Sequence, residues 1–303
     1  MEIRTTDWRA SRDLIRRIRT EVFIREQGVP PELEWDEDDA RAIHFLAFEG
    51  RNPVACARLM SDGRFGRMAV LKDWRRQHWG SRLLNAIEDY ARNELQIREI
   101  KASAQAHALG FYRKAGFSVQ SGFFDDAGIP HVKIYKAPGA PNSNYVLVPG
   151  RDETLYHLDS LISMTGWVQV ALAANPRSVT LVCKDLNHPL WSRTEVVDAI
   201  REFASRSPKR RVKILIPSER GGINRHPLLR LQQRLSSRIS LGIHSSVDDN
   251  LMITPGWGYM KITGQEMAAG CMNDPGRVRR MESKYSHLLQ TANRSREARR
   301  LAI

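Results

Sequence analysis

Arg67-Met-Ala-Val-Leu-Lys-Asp-Trp-Arg-Arg-Gln-His-Trp-Gly-Ser-Arg-Leu-Leu84 is the stretch on which the fold turns. Its opening apolar run predicts a strand over Arg67 to Leu71. From Gly80 the apolar residues take up a helical spacing, which predicts a helix over Gly80 to Leu95. A short basic loop carrying Arg75 and Arg76 joins the two. A helix N-terminus presents free N–H groups and about half a positive charge. Strand, basic loop and helix therefore compose an anion site; the plain alternative is a solvated basic turn.

Outward from that loop the pattern alternates. Leu14, Ile15, Ile18, Val22 and Phe23 place a helical stripe within Asp7 to Gln27, and Ala42–Phe48 with Val54–Met60 reads as a hairpin. Ile97–Ala104 reads as a strand and Ala106–Lys114 as a short helix. Phe117–Gln120 and His131–Lys136 read as closing strands. Asp152–Ala174 reads as one helix with Leu155, Leu158, Leu161 and Ile162 on a face, and then strands and helices alternate to a last helix from Pro275. The fold class expected is α+β for the first half and α/β for the second. The proposed division is 1–136, a linker 137–150, a second domain 151–292 and a basic tail 293–303.

Composition bounds the function classes. Hydrophobic residues at 42% and charged residues at 27% exclude a disordered chain. Cys56, Cys183 and Cys271 have no metal spacing and fit a reducing, cytoplasmic setting without metal. The net charge is +13, but residues 1–140 carry 23 Lys+Arg against 20 Asp+Glu and the remainder 24 against 14. Such asymmetry suggests two units with different partners. The early acidic run, Glu32 to Asp39 with Trp35 inside it, reads either as an attractor of a cationic amine or as a solvated loop.

A second informative stretch runs from Ser103 to Phe117, where a strand ends and a helix carries Phe111 and Tyr112. Together the two stretches resemble the GNAT N-acetyltransferase superfamily. Its loop reads Arg/Gln-x-x-Gly-x-Gly/Ala, matched here by Arg75 and Gly80, with His78 in place of the first glycine and Arg76 in place of a common extra one. The family's later motif is matched by Ala108, Phe111, Tyr112, Lys114, Gly116 and Phe117, with Gln105 in place of asparagine. Val22–Pro30, Glu34–Asp39, His44-Phe45, Ala57-Arg58-Leu59, Ala104-Gln105 and Gly128–His131 resemble the ElaA-like branch. The resemblance spans residues 1–136.

This resemblance implies transfer of an acetyl group from acetyl-CoA to a small-molecule or peptide amine. Its cofactor site falls on Ala69, Val70, Arg75, Arg76, Gln77, His78, Trp79, Gly80, Ser81 and Gln105, and Tyr112 takes the place of the acid that protonates the leaving thiolate. Glu26, Glu34, Asp36, His44, His107 and His131 are the candidate bases. Histidine at position 78 fits readily at a negative φ, whereas a positive φ there favours glycine; weakened but retained cofactor binding is the expectation.

Residues 150–292 show a looser, phospholipase D-like resemblance. The hairpin that carries His-x-Lys in active members begins Asp248-Asp249-Asn250-Leu251 here, so that chemistry is expected to be lost. The basic clusters, Arg206, Lys209, Arg210 and Arg211, then Arg277, Arg279, Arg280 and Lys284, suit a module for docking, dimerisation or gating. A non-enzymatic acyl-CoA sensor that binds nucleic acid is the alternative, less favoured. No apolar stretch is long enough for a membrane span.

Overall fold

The computed structural model describes residues 2–137, 145–218 and 225–294. The chain divides into two compact units. One comprises Met1–Ala104, Phe111–Gly122 and Asp126–Asn144; the other comprises Gln105–Gly110, Phe123–Asp125 and Tyr145–Ile303. Half of the expected linker, 138–144, and nearly all of the basic tail lie outside the described residues.

In the first unit, strand β1 (Glu2–Thr6) precedes helix α1 (Trp8–Arg19), which starts where the Asp7 carboxylate accepts the Ala10 N–H at 2.8 Å. The helix widens into a π-helical turn over Thr20–Glu26, closed by Gln27 N–H donating to Val22 O. Such turns are uncommon and recur at functional sites. The short helix α2 (Pro31–Glu34) follows, then β2 (Ile43–Glu49), β3 (Asn52–Leu59) and β4 (Phe65–Val70). These strands form a sheet in the order β1-β2-β3-β4. Ile15, Ile18, Val22 and Phe23 pack on one face of it with Leu46, Cys56 and Ala69. Helix α3 (Trp79–Asn93) buries Leu83, Leu84 and Ile87 completely; each such side chain contributes ~1.5–3 kcal/mol.

A second sheet holds β5 (Ile100–Gln105), β6 (Ser118–Val119), β7 (Phe124–Asp126) and β8 (Ile129–Lys136), with α4 (Leu109–Lys114) between β5 and β6. The two sheets meet at one parallel bridge, Arg64 with Lys101, beside a 3.0 Å bond from Lys101 N–H to Gly63 O. A Cβ on Gly63 would lie 2.5 Å from Glu99 O, so only glycine permits that approach. Past the bridge β4 stays with β3 and β5 stays with β8, so the strands part toward Val70 and Gln105. A register shift in β3–β4, with Arg67 at φ 49°, bends β4 at the parting.

The second unit has an eight-stranded mixed sheet. Its elements are β9 (Leu155–Leu158), α5 (Leu161–Ala173), β10 (Ser178–Cys183), α6 (Pro189–Ser192), α7 (Thr194–Ser205), β11 (Arg211–Ile216), α8 (Pro227–Arg234), β12 (Ile239–Ile243), β13 (Asn250–Thr254), β14 (Gly258–Ile262), β15 (Ala268–Cys271), α9 (Pro275–Thr291) and β16 (Asn293–Arg294). Strands β10, β11 and β12 are parallel, and β13, β14, β15 and β9 follow antiparallel. Val278, Tyr285 and Leu288 of α9 pack on Val182, Leu215, Leu251 and Ile253.

One expected element fails. Asp152–Ala174 is not a single helix: Leu155–Leu158 is an edge strand beside β15, and α5 begins after Ser160. The cause is local, a reciprocal cap in which Ser160 and Ser163 satisfy each other's backbone N–H. Leu155 is 49% exposed and Leu158 only 3%, which suits strand neighbours three apart and not one helix face.

A repeat goes unrecognised in the sequence reading. His188-Pro189-Leu190 opens α6 and His226-Pro227-Leu228 opens α8, each histidine accepting the leucine N–H through Nδ1. Proline at the first helical position and a side-chain acceptor before it are ordinary helix-start chemistry.

Candidate active site

The basic loop behaves as a strained connector between two firm ends. Lys72–Trp74 forms a 3-10 turn, and Gln77 Nε2 donates back to Asp73 O at 3.0 Å. Arg76 stands at φ 63° and His78 at φ 64°, both left-handed. The condition under which histidine fits freely is therefore not met, and each position stores ~1 kcal/mol that glycine would not. The helix still starts cleanly, with Arg82 N–H donating to His78 O at 3.1 Å. Trp79, only 1% exposed and edge-on to Trp74 at 6.3 Å, anchors that start. The N–H groups of Trp79, Gly80 and Ser81 have no partner within α3.

The cations of the loop separate into two kinds. Arg75 is engaged: its NH1 and NH2 clasp the Glu26 carboxylate at 2.6 Å each, and its Nε donates to Val70 O at 3.0 Å. Arg76 and Arg82 are exposed and make no ion pair among the described residues.

On β4, Leu71 N–H bonds Val54 O, and N–H direction alternates along an antiparallel ladder. Val70 therefore turns its own N–H and C=O toward the open side, where Arg75 takes the carbonyl. Ala69 is buried, and Gln105 closes β5, partly buried.

Tyr112 lies among Phe65, Phe111 and Phe117, with ring centroids 6.1, 5.0 and 5.7 Å away. Its hydroxyl donates to Met68 Sδ at 3.8 Å. Burial pushes its pKa up to about 12, so the phenol holds its proton at neutral pH. A Cβ on Gly80 would lie 3.6 Å from both Met68 Cε and the Phe111 ring. Met68 thus lies beside the first turn of α3 and bonds the Tyr112 hydroxyl.

The acidic run is divided: Glu32 and Glu37 are exposed, whereas Glu34 and Asp39 are buried and, with Asp36, are engaged by arginines. Arg19, 1% exposed, reaches Glu34 at 2.5 Å and Asp39 at 2.6 Å. Arg58 binds Asp36 through both nitrogens and Asp39 at 2.7 Å, and Arg67 reaches the Leu33 and Glu34 carbonyls and Asp36 at 3.2 Å. Burial holds Glu34 above the usual carboxylate range despite Arg19. Burial also pushes Asp36 upward, but Arg58 and Arg67 together outweigh it and hold that carboxyl low. Trp35 packs as a platform under Arg16 and Arg19, each 4.8 Å from its ring.

Several candidate bases therefore fall. Glu34 and Asp36 belong to this network. His44 is 1% exposed, bonded to Asp39 O at 2.8 Å, and held below the ordinary imidazole range by burial. His131 is 8% exposed with Nδ1 at 2.9 Å from Ile129 O. Glu26 holds Arg75, and His107 lies exposed in the turn before α4. Residues the sequence reading passed over are Met68 and the arginines 19, 58 and 67. Only the clustering of opposite charges hinted at the second group.

Comparison with known proteins bears on this arrangement. The family described as "Acetyltransferase (GNAT) domain" matches residues 11–137. The "Uncharacterized N-acetyltransferase YjcF" of Bacillus subtilis is 38% identical over 123 residues, covering 39% of this chain and 87% of that one. The chain belongs to the GNAT acetyltransferase family. An acyl-CoA N-acyltransferase structure from Pseudomonas aeruginosa is 26% identical and covers 45% of this chain and 99% of that one, with a TM-score of 0.41. Escherichia coli ElaA is 23% identical over 45% and 99%, with a TM-score of 0.41. Beyond this GNAT domain, residues 164–301 match a "Domain of unknown function (DUF7931)".

In that second part the hairpin at Asp248 is occupied by ion pairs. Asp249 receives Lys261 at 2.8 Å and the Tyr285 hydroxyl at 2.6 Å, and Lys284 bonds Asp248 at 2.7 Å. Burial acts upward on Asp249, but these donors prevail and lower it to about 2. In the first basic cluster Arg206 donates to Leu172 O in the last turn of α5 and pairs with Glu202 at 3.0 Å, while Arg210 and Arg211 donate to the Pro176 and Pro208 carbonyls. Bonds to neutral carbonyls orient these guanidinium groups without cancelling their charge. Among the described residues no helix is long and apolar enough to cross a membrane.

Proposed function

We propose that this GNAT acetyltransferase moves the acetyl group of acetyl-CoA to an amine at the parting of β4 and β5. The observation that supports the reading is Met68, which lies beside Gly80 at the start of α3 and accepts the Tyr112 hydroxyl. On this reading the helix end meets the phosphates and the phenol serves as hydrogen-bond donor to the thioester's sulfur.

Each residue then has a task. The N–H groups of Trp79, Gly80 and Ser81 receive the pyrophosphate, and Arg76 and Arg82 supply free charge beside them. Gln77 and His78 shape the loop. Val70 offers its outward N–H to the oxyanion of the tetrahedral intermediate. Ala69 flanks the acyl arm. As the neutral amine attacks, its nitrogen bonds the acyl carbon, the C–S bond breaks, the nitrogen's surplus proton passes to water, and the departing thiolate takes a hydrogen bond from Tyr112. Binding both reactants in one cleft lowers the entropic part of the barrier.

The second unit is assigned an accessory role in docking, pairing of two chains or gating. Its ion-paired hairpin, without His or Lys at the reacting positions, suits a silent phospholipase D-like module. The test is calorimetric titration of acetyl-CoA into the full chain, followed by an amine panel read by thiol release. Micromolar binding, ~8 kcal/mol, with amine-dependent CoA release supports the enzyme. Acetyl-CoA binding without release, together with salt-sensitive nucleic-acid binding, supports the sensor alternative instead.

A further inference from the structure

Arg75 stands at the position expected to meet the cofactor, yet its guanidinium is already committed. Two nitrogens clasp Glu26 at 2.6 Å each, and the third donates to Val70 O at 3.0 Å. Three segments are joined by this one side chain: the π-helical turn Thr20–Glu26, the end of β4 and the basic loop. The loop needs such a tether. It holds Arg76 and His78 at positive φ without glycine, and strained conformations persist only where the surroundings over-determine them. Free charge for phosphate remains close by on Arg76 and Arg82.

We propose that Glu26 is a positioning residue for the cofactor: acting through Arg75, it ties the π-helical turn to the phosphate loop and to Val70. This rests on the reading of the loop as the acetyl-CoA site. It makes a prediction of definite sign. If Glu26 merely competed with phosphate for Arg75, removing its charge would free an arginine and tighten binding. If Glu26 positions the loop, the same change weakens binding.

The experiment is titration of acetyl-CoA into wild type, Glu26→Gln, Arg75→Gln and the double variant, each at several salt concentrations. A bidentate pair at this exposure predicts a ~3–10-fold weaker Kd for each single variant. The double variant is expected to be no weaker than the worse single one. The salt slope of Arg75→Gln is expected to match wild type, because an arginine that touches no phosphate releases no counterion. Melting curves check folding, and where Glu26→Gln melts early, Glu26→Asp restores the charge and is expected to recover part of the affinity.

Unchanged or tighter binding by Glu26→Gln overturns the proposal. So does an additive double variant, which would mean that Glu26 acts other than through Arg75, and so does a salt slope that drops in Arg75→Gln. Wild-type protein that fails to bind at millimolar acetyl-CoA overturns the cofactor reading itself, and the proposal with it. Wild-type binding with an unmoved Glu26→Gln overturns the proposal alone.

Discussion

Tyr112→Phe removes one oxygen, and the structure says what that oxygen is worth in each state. In the folded protein its hydrogen bond goes to a thioether sulfur at 3.8 Å, a poor acceptor. The rings of Phe65, Phe111 and Phe117 pack against carbon atoms that phenylalanine retains. The stability change is therefore within ~1 kcal/mol. The catalytic change is larger. Burial raises the phenol to about 12, whereas a free thiol ionises near ~8.5. Complete proton transfer to an unperturbed thiolate would be uphill by ~5 kcal/mol. In the proposed mechanism Tyr112 therefore acts as a hydrogen-bond donor to the departing sulfur and not as a full proton donor, and a bond to a charged acceptor is worth ~1.5–3 kcal/mol. Thiol-release kinetics with the best amine of a panel should show kcat lowered ~10–100-fold, with acetyl-CoA affinity and melting temperature near wild type. An unchanged kcat refutes the donor role. Affinity and melting temperature falling together refute the packing argument, since they would make the hydroxyl a structural group.

Arg19→Ala removes the closest cation of two buried carboxylates, leaving Asp39 to Arg58 at 2.7 Å and Glu34 to Arg67 at 3.5 Å, and denaturant unfolding should show a loss of ~3–5 kcal/mol; a loss below ~1 kcal/mol would mean that Arg58, Arg67 or water replaces the guanidinium. Gly270→Ala places a methyl 2.8 Å from the Trp167 ring, so the same assay should lose ~1–3 kcal/mol, and a neutral result would show that Trp167 moves freely. His78→Gly relieves a left-handed side chain and should preserve or tighten acetyl-CoA binding; a tenfold loss would make the imidazole itself a ligand. His44 and His226 are both held below the ordinary imidazole range by burial. Stability from such groups is complete above the unfolded value, ~6.5, and is lost as pH falls from there through the folded value. The melting temperature should therefore drop as pH is taken below ~6.5, and a flat profile would contradict the assignment.

The elements that carry the proposed site were legible where short-range pattern defines them. Gly80, the apolar spacing of α3 and the Phe111-Tyr112 pair lie on contiguous elements whose period can be read directly. The hairpin β2–β3 and the parallel strands β10 to β12 were legible for the same reason. The helix expected over Asp152–Ala174 failed because Leu155 and Leu158 satisfy a helical spacing by coincidence, and the Ser160 cap decides where the helix starts.

The sequence by itself determined the family, most of the element order and the strand–loop–helix proposed to meet the cofactor, because these follow from local periodicity and motif spacing. Tertiary structure alone decided how charge is used. Whether Glu34 and Asp39 face solvent or Arg19, and whether Arg75 is free or held by Glu26, depends on partners 15 to 49 residues away along the chain. Electrostatic energy is set by distance and burial, and neither is written in the order of the residues.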